Sequence, residues 1–415
     1  MSDQDQRPFP FPPPQGGQVD VLIVAGEHSG DEHAARMVRE LRTKQPDLAI
    51  AALGGPQLAS AGAQVLHDLT ASSVVGVFEV LKNYPFFRAL FAETLRWIAG
   101  HRPRAVCLVD YPGLNLRLAA ALRERGLSAK GGGKIKVLYY ISPQIWAWKA
   151  GRRFAMARDL DAMAVIFPFE PKCYADTALP VEFVGHPFMA ADYVSPVRYD
   201  LAGPVLLLPG SRRQAVGRIF PLLLAGLRAF GEREGVVLFP SDDILDALRA
   251  AGPPANVKLL PVVERRGRVA GGFGRPIAGG WGAHQAVGGT GPTTSVTASA
   301  VLTSSGTMSM HCALAGIPGA IAYRANPLTY VLGRMLVQVE SLGIANLLLR
   351  EPMYPEFIQG AAIPEALAAE LHACIHDWTR RARTLAQAER LQALLSVPAS
   401  GTAADWLARQ LADGR

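Results

Sequence analysis

Cysteine is scarce in this sequence, and the four that occur are too far apart to form a motif. Cys107, Cys173, Cys312 and Cys374 include no CxxC pair, which disfavours a zinc ribbon and a dense disulfide framework. We therefore expect the reducing environment of the cytosol. A length of 415 residues is sufficient for two domains, each with a hydrophobic core of its own.

Long hydrophobic runs are also missing, although 49% of the residues are hydrophobic. A membrane-spanning helix needs roughly 20 apolar residues in a row, and no run in the sequence is that long. We therefore expect no membrane-spanning helix. Residues 1–18 carry acidic residues early and prolines later, without an apolar core. This composition predicts a disordered tail and is not typical of a signal peptide or a transit peptide.

Charged residues make up only 19% of the chain, and the net charge is +7. No block of Lys and Arg with interleaved aromatic residues occurs, which disfavours nucleic acid as a partner. A modest positive charge suits a phosphorylated substrate or an anionic membrane surface, although many proteins that bind neither have it. A nicotinamide cofactor is disfavoured because no GxGxxG follows the first predicted strand.

Buried strand patterns alternate with helical patterns along most of the chain, and this alternation predicts an α/β fold. Val19–Ala25 runs into a glycine turn and a helix, which is the opening unit of a doubly wound domain. A second series of the same kind begins at Val205. We predict two doubly wound parallel-sheet domains, residues 19–195 and 200–362, with Pro196–Gly203 in a linker and C-terminal helices over 363–415.

The segment Val205–Val216, VLLLPGSRRQAV, predicts a buried strand, a sharp turn and a helix start. Ser211 is expected to cap the helix, with Arg212 and Arg213 in its first turn. Free N–H groups at a helix start and a guanidinium beside them favour a phosphate group. An ordinary turn with solvated arginines is the alternative. A second anion-binding turn of this type is predicted at Ser305, Gly306 and Thr307.

Asp110 follows the predicted buried strand Ala105–Val109 directly. A carboxylate at that end of a parallel strand lies on the edge where open α/β sheets bind ligands. It can therefore serve as a general base if its pKa suits the reaction. A turn or helix-capping aspartate is the alternative interpretation, and position alone does not decide between the two.

Several potential metal ligands lie close together after the first strand. They are Glu27, His28, Asp31, Glu32 and His33. Their spacing matches neither HExxH nor a similar metal-binding pattern. We therefore predict no metal site at these residues. As a separate expectation, the protein uses no cofactor.

Apolar residues recur at helical spacing from Phe86 to Ile98. The simpler interpretation is a helix that faces the core. The alternative is an amphipathic patch that contacts a membrane surface. The residues predicted to make that membrane contact are Phe86, Phe87, Phe91 and Trp97.

An aromatic loop with a basic end is predicted after the strand that begins at Lys136. It contains Trp146 and Trp148 and continues through Arg152 and Arg153. Such a loop can cover a sugar or an acyl chain, although aromatic residues beside a strand end are often simply packed there.

Residues 265–297 differ in character from the rest of the second half, because glycine is so frequent that neither a helical nor a strand period is visible. Compact domains rarely contain so long a structureless stretch. It is either an inserted flexible loop or a segment whose encoded sequence is not native.

Short motifs in a fixed order make the chain resemble the lipid-A-disaccharide synthase family. The resemblance runs from about Val19 to Leu349, without the glycine-rich stretch. Its motifs are GEHSGD (26–31), GVFEVL (76–81), VDYPGLN (109–115), YYISPQIWAW (139–148), FPFE (167–170), VGHP (184–187), LLPGSR (207–212), TSSGT (303–307), AYRANPLTY (322–330) and IANLL (344–348). Each motif alone is weak, but their common order is specific.

The resemblance implies a GT-B fold, with two Rossmann-like domains facing a cleft and terminal helices crossing between them. It implies an inverting glycosyltransferase that needs no metal. UDP-2,3-diacylglucosamine donates its sugar to the 6-hydroxyl of 2,3-diacylglucosamine 1-phosphate, and UDP leaves. It further implies a peripheral protein on the cytoplasmic face of the inner membrane, which favours the membrane interpretation of Phe86–Ile98. A homodimer is an open possibility, because the C-terminal helices could pair between subunits.

Carried over by motif, the resemblance makes Asp110 the base for the acceptor hydroxyl and Arg212 the cation that stabilises the departing diphosphate. Glu27 matches a further catalytic position, and Asn346 matches a further substrate-binding position. The residues that it places at the nucleotide or the substrate are Ser211, Ser305, Gly306, Thr307, Tyr323 and Arg324.

Two departures from the family pattern stand out. His311 occupies a position where family members often carry glutamate, which puts a ribose contact in doubt. Residues 265–297 replace an expected helix beside the donor site. Another GT-B enzyme that uses a UDP-sugar, a hexosaminyltransferase or an epimerase, is one alternative. A non-catalytic protein that binds a nucleotide sugar or a lipid is the other.

Overall fold

The computed structural model describes residues 10–70, 84–262, 295–324 and 341–412. The glycine-rich stretch lies outside the described residues except for its last three, and so does the GVFEVL motif. With these gaps, the described chain divides into two compact units. Residues 10–191 and 392–412 form the first unit, and residues 192–324 and 341–391 form the second.

A seven-stranded parallel sheet forms the centre of the first unit. Its strand order is β3-β2-β1-β4-β5-β6-β7. The strands are β1 (Val21–Ala25), β2 (Ile50–Gly54), β3 (Gln64–Asp68), β4 (Ala105–Val109), β5 (Lys136–Tyr140), β6 (Ala162–Val165) and β7 (Val181–Phe183). Every residue of β1 and β4 is buried, which is why these strands are continuous apolar runs.

Helices complete the first unit. They are α1 (His28–Lys44), α2 (Pro56–Ser60), α3 (Tyr84–His101), α4 (Pro112–Glu124), α5 (Arg152–Asp159) and, near the end of the chain, α12 (Ala403–Ala412). Two cations hold the C-terminal end of α12. Lys136 Nζ donates to the carbonyl of Gln410 at 2.7 Å, and Arg104 donates to the carbonyl of Leu411. Both bonds satisfy carbonyls that a helix end leaves without partners.

The second unit contains a six-stranded parallel sheet with the order β11-β10-β9-β13-β14-β15, and a separate parallel pair, β8 and β12. The strands are β8 (Val197–Tyr199), β9 (Val205–Leu208), β10 (Gly235–Phe239), β11 (Val257–Pro261), β12 (Val296–Ala298), β13 (Ala300–Thr303), β14 (Gly319–Tyr323) and β15 (Glu356–Ile358). The helices are α6 (Arg213–Phe230), α7 (Asp242–Ala250), α8 (Thr307–Leu314), α9 (Ile344–Leu349), α10 (Pro364–His376) and α11 (Trp378–Leu395). The end of α11, from Gln392 onward, belongs to the first unit.

The predicted linker Pro196–Gly203 is not simply a linker, because it contains β8. This strand pairs with β12 in the register Val197 to Val296. The partner strand follows nearly one hundred residues later and includes the last two residues of the glycine-rich stretch, so no local pattern announces the pairing.

The predicted disordered tail is wrong for residues 10–17, which are tied to the first unit. The Phe11 side chain is buried, and its N–H donates to Glu93 Oε1 at 2.9 Å. The carbonyl of Pro12 accepts a hydrogen bond from the Trp97 indole, also at 2.9 Å. The proline-rich segment thus covers one face of α3.

For Phe86–Ile98, the sequence left open a core-facing helix or a membrane contact. The proline-rich segment decides between them at Trp97. Trp97 is 4% exposed, so the predicted membrane contact is wrong for Trp97, which packs in the core. Phe86, Phe87 and Phe91 are partly buried against the same core. A membrane contact by these three residues stays a prediction. In the described part of the chain, no helix combines the length and apolarity that crossing a membrane requires.

Candidate functional site

The ends of β1 and β4 mark the topological switch point of the first sheet. Strand order runs outward from this pair in both directions, and open α/β sheets bind ligands at such a point, beyond the carboxyl ends of the strands. Ala25 pairs with Val109 at the last position of the two strands. Glu27 and Asp110 follow within two residues, so the structure brings these two predicted site residues to one edge of the sheet.

Two side chains fix the main chain at Asp110. Its carbonyl accepts a hydrogen bond from the Tyr139 hydroxyl at 2.6 Å and another from Asn115 Nδ2 at 2.7 Å. Burial, with a smaller effect from the charge of Asp110, raises the pKa of the Tyr139 phenol well above its usual range. The phenol therefore stays protonated and remains a hydrogen-bond donor.

Backbone strain is concentrated at the same edge. Asp110, Tyr111 and Ile141 have φ values of 46°, 48° and 67°, in the left-handed region that residues other than glycine rarely adopt. Asp110 and Ile141 follow the neighbouring strands β4 and β5. Conformations of this kind persist only where surrounding contacts enforce them, and they are frequent at ligand-binding sites.

The glycine turn after β1 contacts the Asp110 turn. A Cβ atom on Gly26 would lie 2.2 Å from Cδ1 of the Tyr111 ring, which no real side chain tolerates. Only glycine therefore allows Tyr111 to lie against this turn. Glu27, the next residue, precedes α1 in an extended conformation and is half-buried.

Asp31 has a structural position. Its buried carboxylate accepts hydrogen bonds from the N–H groups of Gly55 at 2.7 Å, Gln57 at 2.9 Å and Leu58 at 3.3 Å. These N–H groups begin α2, so Asp31 satisfies donors that a helix start leaves without partners. Burial lowers the pKa of His33 to about 4 and keeps it neutral. Among the described residues, no three His, Cys, Asp or Glu side chains are grouped to hold a metal ion.

The second sheet has its own switch point, between β9 and β13. Leu208 pairs with Thr303 at the strand ends, and the Ser304 N–H donates to the Leu208 carbonyl at 2.8 Å. Gly210 has a φ of 111°, and a Cβ atom there would lie 3.2 Å from the Ser304 hydroxyl oxygen. The two turns predicted to bind anions are therefore adjacent.

Ser211 does not cap the helix that follows β9. The N-cap residue is Arg212, in an extended conformation, and α6 begins at Arg213. The Arg212 side chain makes no capping hydrogen bond. The prediction of a serine cap is wrong because the turn is one residue longer than the glycine-serine pattern indicates. Ser211 and Arg212 are both exposed.

The two arginines differ in their contacts. Arg213 Nη1 lies 2.5 Å from Asp243 Oδ1 in an exposed ion pair, so its charge is already balanced. Arg212 occupies the position at which the first N–H groups of α6 point outward. The structure thus places Arg212 at the N-cap of α6, directly before Arg213.

The second turn leads into α8, which begins at Thr307 after Gly306. Gly306 and Thr307 are exposed, and Ser305 is half-buried. Within the turn, the Ser309 hydroxyl donates to the Gly306 carbonyl at 2.6 Å and holds the helix start. Its N–H groups and hydroxyls can therefore bind an anion next to Arg212.

His311 lies on α8, where its ring stacks on Tyr193 with centroids 5.8 Å apart. The Tyr193 hydroxyl and Nδ1 of His311 form a hydrogen bond. The residue that departs from the family pattern therefore has a partner within the second unit.

The remaining predicted substrate residues have contacts of different kinds. Arg324 follows β14, and its Nη2 donates to the Ala362 carbonyl at 2.6 Å. Tyr323 is half-buried at the end of that strand. Asn346 is 3% exposed, and its amide is engaged by residues of β15 and of the preceding turn. Its side chain therefore connects α9 to β15.

A match to a protein-family profile identifies the family of this chain. The profile described as Lipid-A-disaccharide synthetase matches residues 21–231 and 285–404, which is most of the chain. The chain belongs to this family. The matched residues include both switch points and all of the predicted catalytic and nucleotide-binding residues.

Relatives of known identity support family membership across nearly the whole length. The chain is 34% identical over 391 residues to the lipid-A-disaccharide synthase of Geobacter metallireducens, covering 90% of this chain and 92% of the relative. It is 36% identical over 352 residues to lipid-A-disaccharide synthase 1 of Legionella pneumophila, with coverage of 82% and 83%.

Solved structures with low sequence identity share the fold. A calicheamicin glycosyltransferase, CalG4, aligns with a TM-score of 0.50 at 14% identity and covers 95% of this chain and 98% of its own. A UDP-N-acetylglucosamine 2-epimerase described as putative, from Listeria monocytogenes, aligns with a TM-score of 0.53 at 10% identity, with coverage of 90% and 94%. The predicted GT-B fold class is confirmed.

Sequence reasoning missed three residues that shape the site of this lipid-A-disaccharide synthetase family member. Gly26 allows Tyr111 to approach, and Asn115 and Tyr139 hold the carbonyl of Asp110. All three lie within motifs already singled out, GEHSGD, VDYPGLN and YYISPQIWAW. Their position in these motifs is the signal that could have found them.

Proposed function

We propose that the chain transfers the sugar of UDP-2,3-diacylglucosamine to the 6-hydroxyl of 2,3-diacylglucosamine 1-phosphate and releases UDP. The observation that carries this proposal is the pair of switch points. One holds a carboxylate, Asp110, on a fixed main chain, and the other holds a helix start with Arg212 beside a hydroxyl-rich turn. Membership of the lipid-A-disaccharide synthetase family supports the choice of substrates.

In the proposed reaction, Asp110 accepts the proton of the acceptor 6-hydroxyl as the oxygen attacks the anomeric carbon of the donor. The bond from that carbon to the diphosphate oxygen breaks, and the configuration inverts in one in-line step. Tyr139 and Asn115 hold the Asp110 main chain and limit the directions its carboxylate can take. Fixed positioning of a base is worth several orders of magnitude in rate.

The departing diphosphate carries the developing negative charge. Arg212 offers a planar guanidinium that matches phosphate oxygens. The N–H groups that begin α6 and α8 and the hydroxyls of Ser211, Ser305 and Thr307 add hydrogen bonds whose directions are set before the reaction. We assign Tyr323 and Arg324 to the nucleotide, and Glu27 to the acceptor beside Asp110.

Both substrates are lipids, so we place the working protein as a peripheral protein on the cytoplasmic face of the inner membrane. Partial burial of Phe86, Phe87 and Phe91 leaves some apolar surface on α3. A homodimer is compatible with this assignment and is not required by it.

The test is the reaction itself, with the purified full-length chain and both diacyl substrates in detergent micelles. We expect a disaccharide 1-phosphate and UDP in equal amounts. Asp110→Asn and Arg212→Ala should each lower kcat by a factor on the order of 100 or more, because a base or a charge-stabilising group is lost. Arg213→Ala is the matched control and should retain the activity, since Arg213 is paired with Asp243.

Full activity of the Asp110→Asn variant would contradict the assigned base. UDP binding without any disaccharide would favour the non-catalytic alternative. Release of UDP with a different sugar acceptor would favour another UDP-sugar enzyme.

A further inference from the structure

Aromatic and cationic side chains are clustered where the loop after β5 leads into α5. Lys149 Nζ lies 4.7 Å from the centre of the Trp148 ring, and the Arg152 guanidinium carbon lies 4.8 Å from it. The Arg153 guanidinium carbon lies 4.3 Å from the centre of the Phe154 ring. We call these five residues the Trp148–Phe154 patch.

The patch presents a large apolar group to the outside. Phe154 is 54% exposed, whereas Met156, two residues further along the same helix, is 1% exposed. The helix is therefore anchored to the core by one face and presents Phe154 on another. Moving such a ring from water into an apolar environment is favourable.

The positive charges of the patch are only partly balanced. Arg153 is paired with Asp176, with 2.6 Å between Nη2 and Oδ2. Lys149 and Arg152 contact the Trp148 ring, and the described part of the chain supplies neither with a carboxylate partner. The patch thus has two unbalanced cations beside an exposed aromatic ring.

The patch lies at the same edge of the sheet as the proposed base. It follows β5, the strand next to β4, which ends at Asp110. Arg152 borders a groove of about 240 Å³ between α4 and α5, lined partly by Leu116 and Met156.

Unbalanced cations, a tryptophan and an exposed phenylalanine together match the interface of an anionic bilayer. Basic side chains are attracted to the negative surface, indole rings settle at the level of the headgroups, and an apolar ring enters the acyl boundary. An acidic protein would use the cations but would not require the exposed ring.

We propose that the Trp148–Phe154 patch docks the first unit onto an anionic lipid surface and so brings the Asp110 edge to the membrane. This inference rests on the proposed function, because the substrates assigned there are lipids of that membrane. It assigns membrane contact to a surface other than α3.

The test is binding of the full-length chain to vesicles of phosphatidylcholine, with and without phosphatidylglycerol. We expect binding that needs phosphatidylglycerol and weakens as salt rises. The double variant Lys149→Gln/Arg152→Gln should bind about 20- to 30-fold more weakly, and Phe154→Ser about tenfold more weakly. The matched control is Arg125→Gln/Lys130→Gln, which removes two exposed cations from the same unit and should bind as the wild type does.

If the control variant weakened vesicle binding as much as the patch variants do, the proposal would be wrong, because only the total charge would then matter. Undiminished vesicle binding by both patch variants would contradict the proposal as well, as would capture of an acidic protein with no vesicle binding.

Activity in detergent micelles separates this inference from the proposed function. Patch variants should keep micelle activity, and a wild type that binds vesicles but makes no disaccharide would refute only the reaction.

Discussion

Gly26 and Tyr111 lie so close together that a methyl group on Gly26 would be 2.2 Å from Cδ1 of the tyrosine ring. The tyrosine directly follows Asp110, and both have a left-handed conformation. We predict that Gly26→Ala displaces the ring and the Asp110 turn with it. Overpacking of this kind costs about 1–3 kcal/mol of stability, and the activity should fall more than the stability does. Thermal unfolding and disaccharide formation measure the two effects.

Gly113→Ala is the control, since a Cβ atom on Gly113 meets no atom within 4 Å. Gly113 belongs to the same VDYPGLN motif and lies in the first turn of α4. Alanine favours the helix there by up to about 1 kcal/mol, so this variant should be as stable as the wild type or slightly more so. A Gly26→Ala variant with wild-type stability and activity would show that Tyr111 does not transmit the change.

Tyr139→Phe tests whether the hydrogen bond to the Asp110 carbonyl positions the base. The substitution removes one hydroxyl and leaves the bond from Asn115 in place. We expect a loss of about 1 kcal/mol in stability. The kcat should fall by several-fold to about 100-fold, because a small misplacement of a catalytic group has an effect of that order. The KM for the UDP-sugar should stay unchanged.

Tyr140→Phe provides the matched control for this prediction. Tyr140 is the next residue on β5 and is also buried. Its hydroxyl does not donate to Asp110, so kcat should remain at the wild-type value. If both variants lowered kcat alike, the effect would belong to the packing of β5 and not to the hydrogen bond.

The sequence was sufficient to predict the strand ends that precede Asp110 and the turn at Ser211. Ala105–Val109 is confirmed as β4, and Val205–Leu208 as β9. Both are uninterrupted apolar runs that end at a polar or turn-forming residue, and this local signal is strong. The order of motifs supplied the family and the fold class, both of which are confirmed.

Features that depend on distant contacts could not be predicted. The periodicity of α3 shows an apolar face but not its partner, and the partner includes Phe11 and Pro12, more than 70 residues earlier. The hydrogen bonds on the Asp110 carbonyl come from another strand and from the following helix. No local pattern reports a left-handed conformation at Asp110 or Ile141, since neither residue is glycine.

Asn346→Ala is predicted to lower stability as well as activity. The amide oxygen accepts hydrogen bonds from the N–H groups of Met353 at 2.9 Å and Tyr354 at 3.0 Å. The amide nitrogen donates to the Tyr354 carbonyl at 2.7 Å and to Glu356 Oε1 at 2.8 Å. Buried groups that lose their partners cost about 1–3 kcal/mol each, so the unfolding temperature should drop by several degrees.

Asn256→Ala is the comparison, because the Asn256 amide donates one hydrogen bond, to the Arg233 carbonyl at 3.0 Å. Its effect on stability should be clearly smaller. An Asn346→Ala variant that loses activity at an unchanged unfolding temperature would instead support the direct substrate contact that the family resemblance implies.

Glu170 is a buried carboxyl group inside the first unit. Glu170 is 1% exposed, and its Oε2 accepts a hydrogen bond from the Phe167 N–H at 3.0 Å. Burial raises its pKa from 4.5 to about 8, and backbone N–H groups offset part of that effect. The folded chain therefore keeps a proton that the unfolded chain releases between these two values.

Because the folded state binds the extra proton, stability should fall as the pH rises from about 4.5 towards 8, by at most about 1.4 kcal/mol per pH unit. Glu170→Gln keeps an oxygen that accepts from Phe167 and has no proton to lose. We expect urea unfolding of this variant to show a weaker decline of stability over that range. Glu124→Gln, at a site whose side chain is 65% exposed, should decline as the wild type does. A Glu170→Gln variant with the wild-type slope would show that Glu170 is ionised in the folded chain.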